Sequence, residues 1–301
     1  MQFKKSKIWN YASTKKRRLL SRVAPVYETK RLFSSVLKYD LDLVRPKTLN
    51  EKIQYLKLND YRNNSIVTQC VDKYRVRNYI KEKGLDYLLP ELYLCCKRVK
   101  EIDFDILPQS FALKCNHGCG YNVLCKNKEQ MDFNEVSHLL KTWLKEDYWT
   151  EYCEIQYKFV DKRIIVEEYL GEELQTYKFY CFNGTPKVFY ISSNGPKGEK
   201  DLYLDYYDMD FNHLDIKLAN HLSSPRVKEI VKPYCFEEMK RIAEILSESF
   251  PFVRVDLYDV SGKVYFSELT FIPTGGFMCF DPVTTDKEWG EWLRINSVFN
   301  A

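Results

Sequence analysis

Near its C-terminus the chain reads Val253-Arg254-Val255-Asp256-Leu257, then a Ser261-Gly262 turn, then Tyr265-Phe266-Ser267-Glu268-Leu269-Thr270. Apolar and polar residues alternate on both sides of the turn, which predicts an antiparallel β-hairpin. Side chains alternate along a strand, so Arg254 and Asp256 share one face, as do Glu268 and Thr270. If the two faces coincide, the hairpin sets the carboxylates of Asp256 and Glu268 side by side.

Two adjacent carboxylates favour a bound cation. Like charges at that distance repel unless a proton or a cation lies between them. Magnesium suits this arrangement, because it takes a few carboxylates together with phosphate oxygens and waters. In this interpretation Arg254 faces a phosphate, which its planar guanidinium binds well. The hairpin alone leaves two alternatives open: a surface cross-strand charge cluster, and an ordinary ion pair between the arginine and a carboxylate.

Other stretches upstream predict strands as well. The range 111–124 predicts two small strands joined by a glycine-containing turn, with Lys114 near the end of the first strand. The range 163–170 predicts a strand on which Glu167 and Glu168 point to opposite faces. A second hairpin is predicted around Asn183-Gly184, because this pair favours the positive φ angles of a type I′ turn.

The rest of the chain alternates predicted helices with these strands. Helical patterns predict a helix capped by Thr48 or Asn50, and further helices over Val71–Ile80, Met131–Tyr148 and Pro225–Ser249. An exposed loop is predicted over residues 194–198. This alternation indicates an α+β protein with mixed or antiparallel sheets.

Composition excludes several classes of function. Of the 301 residues, 45% are apolar and 29% are charged, which is typical of a globular protein. The formal net charge of +4 is too small to suggest nucleic acid as the main partner. No apolar run of about 18 residues spans a membrane, and no apolar stretch follows the basic start, so secretion is not expected. We therefore expect a cytoplasmic protein.

Cysteines are scattered along the chain rather than grouped as a disulfide framework. The ten thiols in a chain of this length are expected to stay reduced. Cys115, His117 and Cys119 lie close together, so a zinc site is an alternative. However, Cys115 lies at the end of a predicted buried strand, where alternate residues face opposite ways.

The first 22 residues form a basic segment that contains no acidic residue. Phe3, Trp9 and Tyr11 are interleaved with its lysines and arginines. One interpretation is a solvated tail or a first helix. The other is a peripheral contact with an anionic membrane surface, at the inner face of the cell membrane. Nucleic-acid binding is disfavoured, because no stacking or base-reading motif follows.

The motifs together resemble the ATP-grasp ligases, a superfamily that includes D-alanine–D-alanine ligase. The resemblance rests on four pieces in the same order: Asp72-Lys73 before a helix, Lys114 before a glycine loop, the stretch 165–170, and the Arg254-x-Asp256 hairpin with Glu268-x-Thr270. It covers about residues 45–290. It implies an ATP-grasp fold, in which two α+β subdomains clasp ATP.

A closer resemblance is to the TupA-like ATP-grasp branch, found in bacterial capsule and teichuronopeptide gene clusters. It rests on the stretches Arg45–Lys52, Leu113–Gly118, Tyr177–Gly184 and Glu268–Phe271. Thr270 departs from the D-alanine ligases, which have asparagine there. This departure puts direct metal ligation by Thr270 in doubt, although a hydroxyl can also bind a metal-bound water or a phosphate.

The resemblance implies a role for each matched residue. Magnesium, as two ions, is expected at Asp256, Glu268 and Thr270, and the catalytic residues are expected to be Arg254, Lys178 and His117. His117 also fits a simple turn residue, and Gly118 and Gly120 also fit turn geometry alone. The residues expected to bind ATP are Lys73, Lys114, Gly118, Gly120, Glu167, Glu168, Tyr169, Leu170 and Lys178.

The resemblance also implies a domain organisation and a reaction. The expected parts are a basic N-terminal segment (1–44), a helical part (45–108), a small ATP-grasp subdomain with the glycine loop (109–170), and a C-terminal subdomain with the metal site (171–301). The expected reaction is ATP-dependent ligation of a carboxylate to an amine. The branch suggests a uronic-acid carboxylate of a cell-surface polysaccharide or its precursor, and an amino acid or small amine.

Three alternatives to this reaction stay open. Some ATP-grasp proteins are kinases that transfer phosphate to a hydroxyl. A metal-dependent glycosyltransferase normally has an Asp-x-Asp motif after an apolar strand, and Asp208-Met209-Asp210 has that spacing in an aromatic-rich segment. A non-catalytic binding or scaffold subunit would lack affinity for ATP.

Overall fold

A computed structural model describes residues 7–171, 174–194, 202–219 and 230–295. The helices are α1 (Lys7–Val23), α2 (Pro25–Leu37), α3 (Leu49–Leu58), α4 (Ser65–Val71), α5 (Val76–Glu82), α6 (Phe133–Lys145), α7 (Phe236–Ser247) and α8 (Thr284–Trp292). The strands are β1 (Leu92–Cys96), β2 (Phe111–Cys115), β3 (Asn122–Cys125), β4 (Ile164–Glu167), β5 (Gln175–Phe182), β6 (Thr185–Asn194), β7 (Leu202–Asp208), β8 (His213–Leu214), β9 (Lys217–Leu218), β10 (Phe252–Val260), β11 (Lys263–Thr270) and β12 (Phe280–Asp281).

Two main sheets organise the chain, and every strand pair in them is antiparallel. The small sheet has the order β1-β4-β2-β3, and the large sheet has the order β11-β10-β5-β6-β7-β8. The short strands β9 and β12 form a third, two-stranded sheet. The expected α+β class with antiparallel sheets is confirmed. Strand β1 precedes residue 109, where the small subdomain is expected to begin, yet it pairs with β4 in the small sheet.

The two main sheets have separate hydrophobic cores. Aromatic residues from the large sheet pack on α7, where Phe179 and Phe189 both contact the ring of Phe236. The small sheet packs on α6 through Val136 and Leu140, which are buried against Phe111 and Leu113. The two cores leave a boundary between the sheets at the ends of β2, β4, β5 and β11.

Both predicted hairpin turns are confirmed. Asn183 and Gly184 have φ angles of 49° and 79°, and Ser261 and Gly262 have φ angles of 54° and 86°. These positive values match the right-handed twist of the flanking strands, as a type I′ turn requires. The register of each hairpin is therefore set locally by two residues.

Helix α3 begins as the sequence predicts. The Thr48 side chain accepts a hydrogen bond from the backbone N–H of Glu51, and the Glu51 side chain accepts one from the backbone N–H of Thr48. This capping box satisfies two backbone donors at the start of the helix.

The helix predicted over Val71–Ile80 is interrupted. Helix α4 ends at Val71 and α5 begins at Val76. Between them the Asp72 carboxylate accepts hydrogen bonds from the backbone N–H groups of Tyr74 and Arg75, at 2.9 and 3.2 Å. These bonds form a turn at Asp72 that interrupts the helix, and α5 begins after this turn without a side-chain cap of its own.

The helix predicted over Pro225–Ser249 is shorter than expected. Helix α7 begins at Phe236, and residues 230–235 form a non-helical lead that ends in a turn. Residues 225–229 and most of the predicted 194–198 loop lie outside the described residues.

The N-terminal segment contains two helices, α1 and α2, rather than only a tail. No helix among the described residues is both long and apolar enough to cross a lipid bilayer. All ten cysteines are free.

Candidate active site

The β10–β11 hairpin brings the two predicted carboxylates together. Asp256 lies directly opposite Glu268, and Arg254 lies directly opposite Thr270. The register shifts between Asp256 and Leu257, because a bulge on β11 includes Ser267. The expectation that the two polar faces coincide is confirmed.

Asp256 is fully buried and holds two cations. The Arg254 guanidinium binds both carboxylate oxygens, with Nε–Oδ1 and Nη2–Oδ2 distances of 2.7 Å. Lys178, directly opposite Asp256 on β5, donates a hydrogen bond to Oδ2. Burial lowers the pKa of Arg254, but the charge of Asp256 outweighs it and raises the pKa well above its ordinary value. Arg254 and Asp256 therefore form the arginine–carboxylate ion pair that the sequence left open as an alternative to a metal site.

Glu268 is the more accessible carboxylate of the two, with a side chain that is 33% exposed. Its Oε1 accepts a hydrogen bond from the Thr270 hydroxyl at 3.2 Å and lies 3.5 Å from Nη2 of Arg254. Burial raises the pKa of Glu268, but the charges of Lys73, Lys178 and Arg254 outweigh it and lower the pKa to about 2. Glu268 is therefore ionised at neutral pH.

A cavity of about 350 Å³ opens beside Glu268, at the boundary between the two main sheets. The small sheet and its loop contribute Lys114, Gly120 and Glu167, and the large sheet contributes Lys178 and Glu268. Lys73 contributes from the turn between α4 and α5. Six of the residues predicted to bind ATP or metal are thus brought to one cavity: Lys73, Lys114, Gly120, Glu167, Lys178 and Glu268.

Two cations hold the buried Glu167 carboxylate at one end of the cavity. Lys114 Nζ lies 2.8 Å from Oε2, and Arg77 Nη1 lies 3.0 Å from Oε1. Burial lowers the pKa of Lys114, but the charge and the hydrogen bond of Glu167 have the larger opposite effect together. The pKa of Lys114 is therefore raised above its ordinary value. Arg77 also donates to the carbonyl of Pro90 at 2.8 Å. This end of the cavity therefore has a fixed carboxylate with two charged donors around it.

The glycine loop, residues 116–121, connects β2 to β3 over the cavity. Lys73 Nζ donates to the carbonyl of Gly118 at 2.5 Å. Gly120 has a φ of +77° and faces open space, since a Cβ atom there meets no heavy atom within 4 Å. Gly118 instead faces Tyr148, because a Cβ atom there approaches Cγ of that ring to 2.7 Å. The loop thus combines one glycine open to a ligand with one packed against protein.

His117 is buried inside the loop rather than exposed to the cavity. Its Nε2 donates to the carbonyl of Trp143 at 3.0 Å, and its ring lies 5.3 Å from that of Tyr121. Burial lowers the pKa of His117 to about 4, so the ring is neutral at neutral pH. These contacts give His117 a structural place in the loop. Among the described residues, no group of three or more His, Cys, Asp or Glu side chains is placed to share a metal ion, zinc included.

The remaining predicted residues lie outside the cavity lining. Glu168 turns away from Glu167, as expected from alternation, and its carboxylate accepts from the backbone N–H of Glu91 at 3.3 Å. Tyr169 and Leu170 follow it after the end of β4. Arg254, Asp256 and Thr270 form the layer behind Lys178 and Glu268.

The sequence model of the TupA-like ATP-grasp family matches residues 51–294. The chain belongs to this family. The match covers most of the chain, including all four motifs from which the resemblance was inferred. It confirms the ATP-grasp fold and places the chain among the ATP-grasp enzymes. A comparison with curated proteins found no match.

Solved structures of other ATP-grasp proteins resemble the chain distantly. D-alanine–D-alanine ligase from Bacillus anthracis, complexed with ATP, is 14% identical, with a TM-score of 0.43 over 68% of this chain and 57% of that chain. The Helicobacter pylori D-alanine–D-alanine ligase is 15% identical, with a TM-score of 0.44 over 82% and 69% of the two chains. L-amino acid ligase from Bacillus licheniformis is 13% identical, with a TM-score of 0.44 over 77% and 51%. The chain thus spans less than two thirds of the first and third of these proteins.

Glu268 is a suitable ligand for magnesium in this ATP-grasp site. Magnesium keeps several waters and is held by one or two carboxylates together with substrate phosphates. Glu268 is ionised and reaches the cavity, and among the described residues only its Oε1 makes a hydrogen bond. Asp256 already binds Arg254 and Lys178 through both oxygens. Glu268 is therefore the residue that would hold the metal, with Asp256 fixing the cations beside it.

Several cavity residues were missed in the sequence. Arg77 lies four residues after Lys73, a spacing that would place both on one face of the helix predicted over Val71–Ile80, although the structure puts Lys73 in the turn before α5. Thr176 and Tyr258 each lie two residues from a predicted site residue on the same strand, so alternation also indicates them. Ser192 lies opposite Thr176 on β6, and no local pattern identifies it.

Proposed function

We propose that the chain is an ATP-dependent carboxylate–amine ligase. The supporting observation is the cavity in which Lys73, Lys114 and Lys178 surround the ionised Glu268, in a chain of the ATP-grasp family. ATP phosphorylates a substrate carboxylate, giving an acyl phosphate and ADP. An amine then attacks the acyl carbon, the C–O bond to phosphate breaks, and an amide and free phosphate are released.

In this proposal the chain acts by positioning and by charge neutralisation. Glu167, held by Lys114 and Arg77, binds the nucleoside part of ATP, where a fixed carboxylate accepts from hydroxyl or amino groups. Lys73, Lys114 and Lys178 bind the phosphates, since ammonium groups stabilise charge that develops on the transferred phosphoryl group. Magnesium, when bound at Glu268, would neutralise phosphate charge. The open face of Gly120 lets backbone approach the phosphates.

The substrates that we propose are those suggested by the resemblance to the TupA-like branch. The acid is a uronic-acid carboxylate of a cell-surface polysaccharide or its precursor, and the amine is an amino acid or small amine. A peripheral membrane contact through exposed N-terminal lysines would hold the enzyme near a lipid-linked acceptor. This contact stays a prediction.

The test uses hydroxylamine as a surrogate amine. The protein is incubated with Mg-ATP, hydroxylamine and either free or UDP-linked uronic acids, and ADP, phosphate and hydroxamate are measured. Because hydroxylamine traps acyl phosphates as hydroxamates, the natural amine need not be known. We expect hydroxamate with one class of acid, and we expect its loss in Glu268→Gln.

Glu135→Gln, on the exposed face of α6, is the matched control and should keep the wild-type rate. Formation of ADP without hydroxamate or free phosphate would indicate that the protein is a sugar kinase and not a ligase. If neither ADP nor hydroxamate formed with any acid, and Mg-ATP did not change the melting temperature, the ATP site itself would be rejected.

A further inference from the structure

The segment between α6 and β4 presents an acidic surface to α1. In this acidic segment, residues 146–154, three carboxylates bind three arginines of α1. Arg18 Nη2 lies 2.6 Å from an oxygen of Glu146 and 2.6 Å from an oxygen of Glu151. Arg17 also pairs with Glu151, and Arg22 lies 2.7 Å from Asp147. Three of the eight basic residues among the first 22 are thus paired with carboxylates inside the molecule.

These ion pairs are accompanied by packing. The Glu151 side chain is only 18% exposed, and the Arg17 and Arg22 guanidinium groups lie over the rings of Tyr152 and Trp149, at 5.5 and 5.8 Å. Ser21 and Cys153 are both buried, with their Oγ and Sγ atoms 3.2 Å apart. Helix α1 therefore packs specifically on the acidic segment, because ion pairs, cation–π contacts and a buried polar contact occur in the same interface.

The acidic segment also supports the glycine loop, through Tyr148. Tyr148 packs directly against Gly118, and its ring centroid lies 6.0 Å from that of Tyr121. Lys162 fastens the start of the segment by donating to the carbonyl of Glu146 at 2.7 Å and to Asp147 at 3.0 Å. A shift of the segment therefore moves the ring on which Gly118 rests.

We propose that α1 braces the glycine loop through the acidic segment, so that Arg17, Arg18 and Arg22 are positioning residues for ATP binding. The basic helix holds the segment, the segment holds Tyr148, and Tyr148 sets the position of Gly118 above the cavity. The proposal rests on the proposed ATP site. It assigns the three arginines an intramolecular partner, and it leaves exposed lysines such as Lys16 and Lys30 for any lipid contact.

The test inverts the charges across the interface in the full chain. Arg17→Glu/Arg18→Glu should raise the KM for ATP by about fivefold or more, with a smaller change in kcat, since several partly exposed ion pairs turn repulsive. Adding Glu146→Arg and Glu151→Arg restores complementary signs and should return the KM toward the wild-type value. Hydrogen–deuterium exchange of the peptide covering residues 116–121 should rise in the double variant and fall again in the quadruple variant, with no ATP present.

Lys16→Glu/Lys30→Glu is the matched control, because it makes the same change in net charge on exposed residues of α1 and α2. The brace is overturned if the double variant changes exchange of the glycine loop no more than this control does, or if the quadruple variant restores neither exchange nor KM. The protein could show the expected changes in exchange and yet not bind ATP. That result would support the contact between α1 and the glycine loop but reject its role in ATP binding, so failure of this proposal and failure of the proposed function can be told apart. Loss of binding to anionic vesicles in the control alone would locate lipid contact on the lysines.

Discussion

Gly118 and Gly120 lie two residues apart in the glycine loop, yet their surroundings differ. Gly118 has an ordinary φ but no room for a side chain, because Tyr148 and Tyr121 lie within 2.7 and 2.8 Å of a Cβ atom there. Gly120 has ample room but a left-handed φ of +77°. One glycine thus serves packing and the other serves backbone conformation and access to the cavity.

Alanine substitutions should separate these two roles. Gly118→Ala should destabilise the protein by roughly 1–3 kcal/mol, because the added methyl overpacks against the Tyr148 ring. Gly120→Ala should cost about 1 kcal/mol, the strain of a left-handed L-residue. Urea unfolding measures both free energies.

Gly262 provides the control for Gly120, since it has a φ of +86° with nothing within 4 Å but lies in a hairpin turn. Gly262→Ala should match Gly120→Ala in stability, while only the latter weakens ATP binding. Equal ATP affinities of these two variants would remove Gly120 from the nucleotide site.

Lys57 and Glu154 are both buried and influence each other's charge, which should make stability depend on pH. Burial raises the pKa of Glu154 to about 7, against the opposing charge of Lys57, from an ordinary value of 4.5. The folded protein then binds this proton more tightly than the unfolded chain does. The contribution of Glu154 to stability is full below pH 4.5 and is lost as the pH rises toward 7.

Glu154→Gln should therefore flatten the pH dependence of the unfolding free energy between pH 4.5 and 7, by roughly 1–3 kcal/mol across the range. Glu135→Gln, which is exposed, should leave the wild-type slope unchanged. A Glu154→Gln curve parallel to that of the wild type would contradict this prediction.

At the scale of elements, Asn116 joins three segments that are distant in sequence. It is fully buried, and its Nδ2 donates to Asp72 at 2.8 Å and to the carbonyl of Asp161 at 3.0 Å. Its Oδ1 accepts from the backbone N–H of Arg163 at 2.7 Å. Asn116 thereby fixes the start of the glycine loop, the turn that carries Lys73 and the lead into β4.

Asn116→Ala should destabilise the protein by about 2–4 kcal/mol, because it leaves several buried polar groups without partners. It should also weaken ATP binding, since both Lys73 and the glycine loop lose their anchor. Asn134→Ala, at an exposed position of α6, is the control. Isothermal titration with ATP and urea unfolding measure the two effects, and an Asn116→Ala protein with wild-type ATP affinity would show that Lys73 is positioned otherwise.

The elements that could be predicted from the sequence are those set by nearby residues. The β10–β11 hairpin and its carboxylate pair follow from alternation and a two-residue turn. The break between α4 and α5 depends in part on the local Asp72 bonds, but Asp72 is also held by Asn116, which lies 44 residues away and which no local pattern identifies. The docking of α1 depends on ion pairs between residues 125 or more positions apart, and no local pattern encodes them.

At the scale of the whole molecule, the cavity exists because two sheets with separate cores meet there. Lys114 and Glu167 belong to the small sheet, whereas Lys178 and Glu268 belong to the large sheet. A ligand that contacts both sets therefore ties the two halves together and should stabilise the whole chain. At a concentration of 100 times Kd, such a ligand adds about 2.7 kcal/mol.

Magnesium and ATP should contribute separately to this stabilisation. In the wild type, ATP in EDTA should raise the melting temperature, and excess Mg²⁺ should raise it further, because the metal neutralises phosphate charge beside Glu268. Glu268→Gln should keep the first rise and lose most of the second. Asp256→Asn should instead lower the melting temperature without any ligand, because it leaves the buried Arg254 and the neighbouring, partly buried Lys178 uncompensated, at a cost of about 3–5 kcal/mol. If Glu268→Gln retained the full magnesium increment, the metal would be held by ATP alone and the two carboxylates would share a purely structural role.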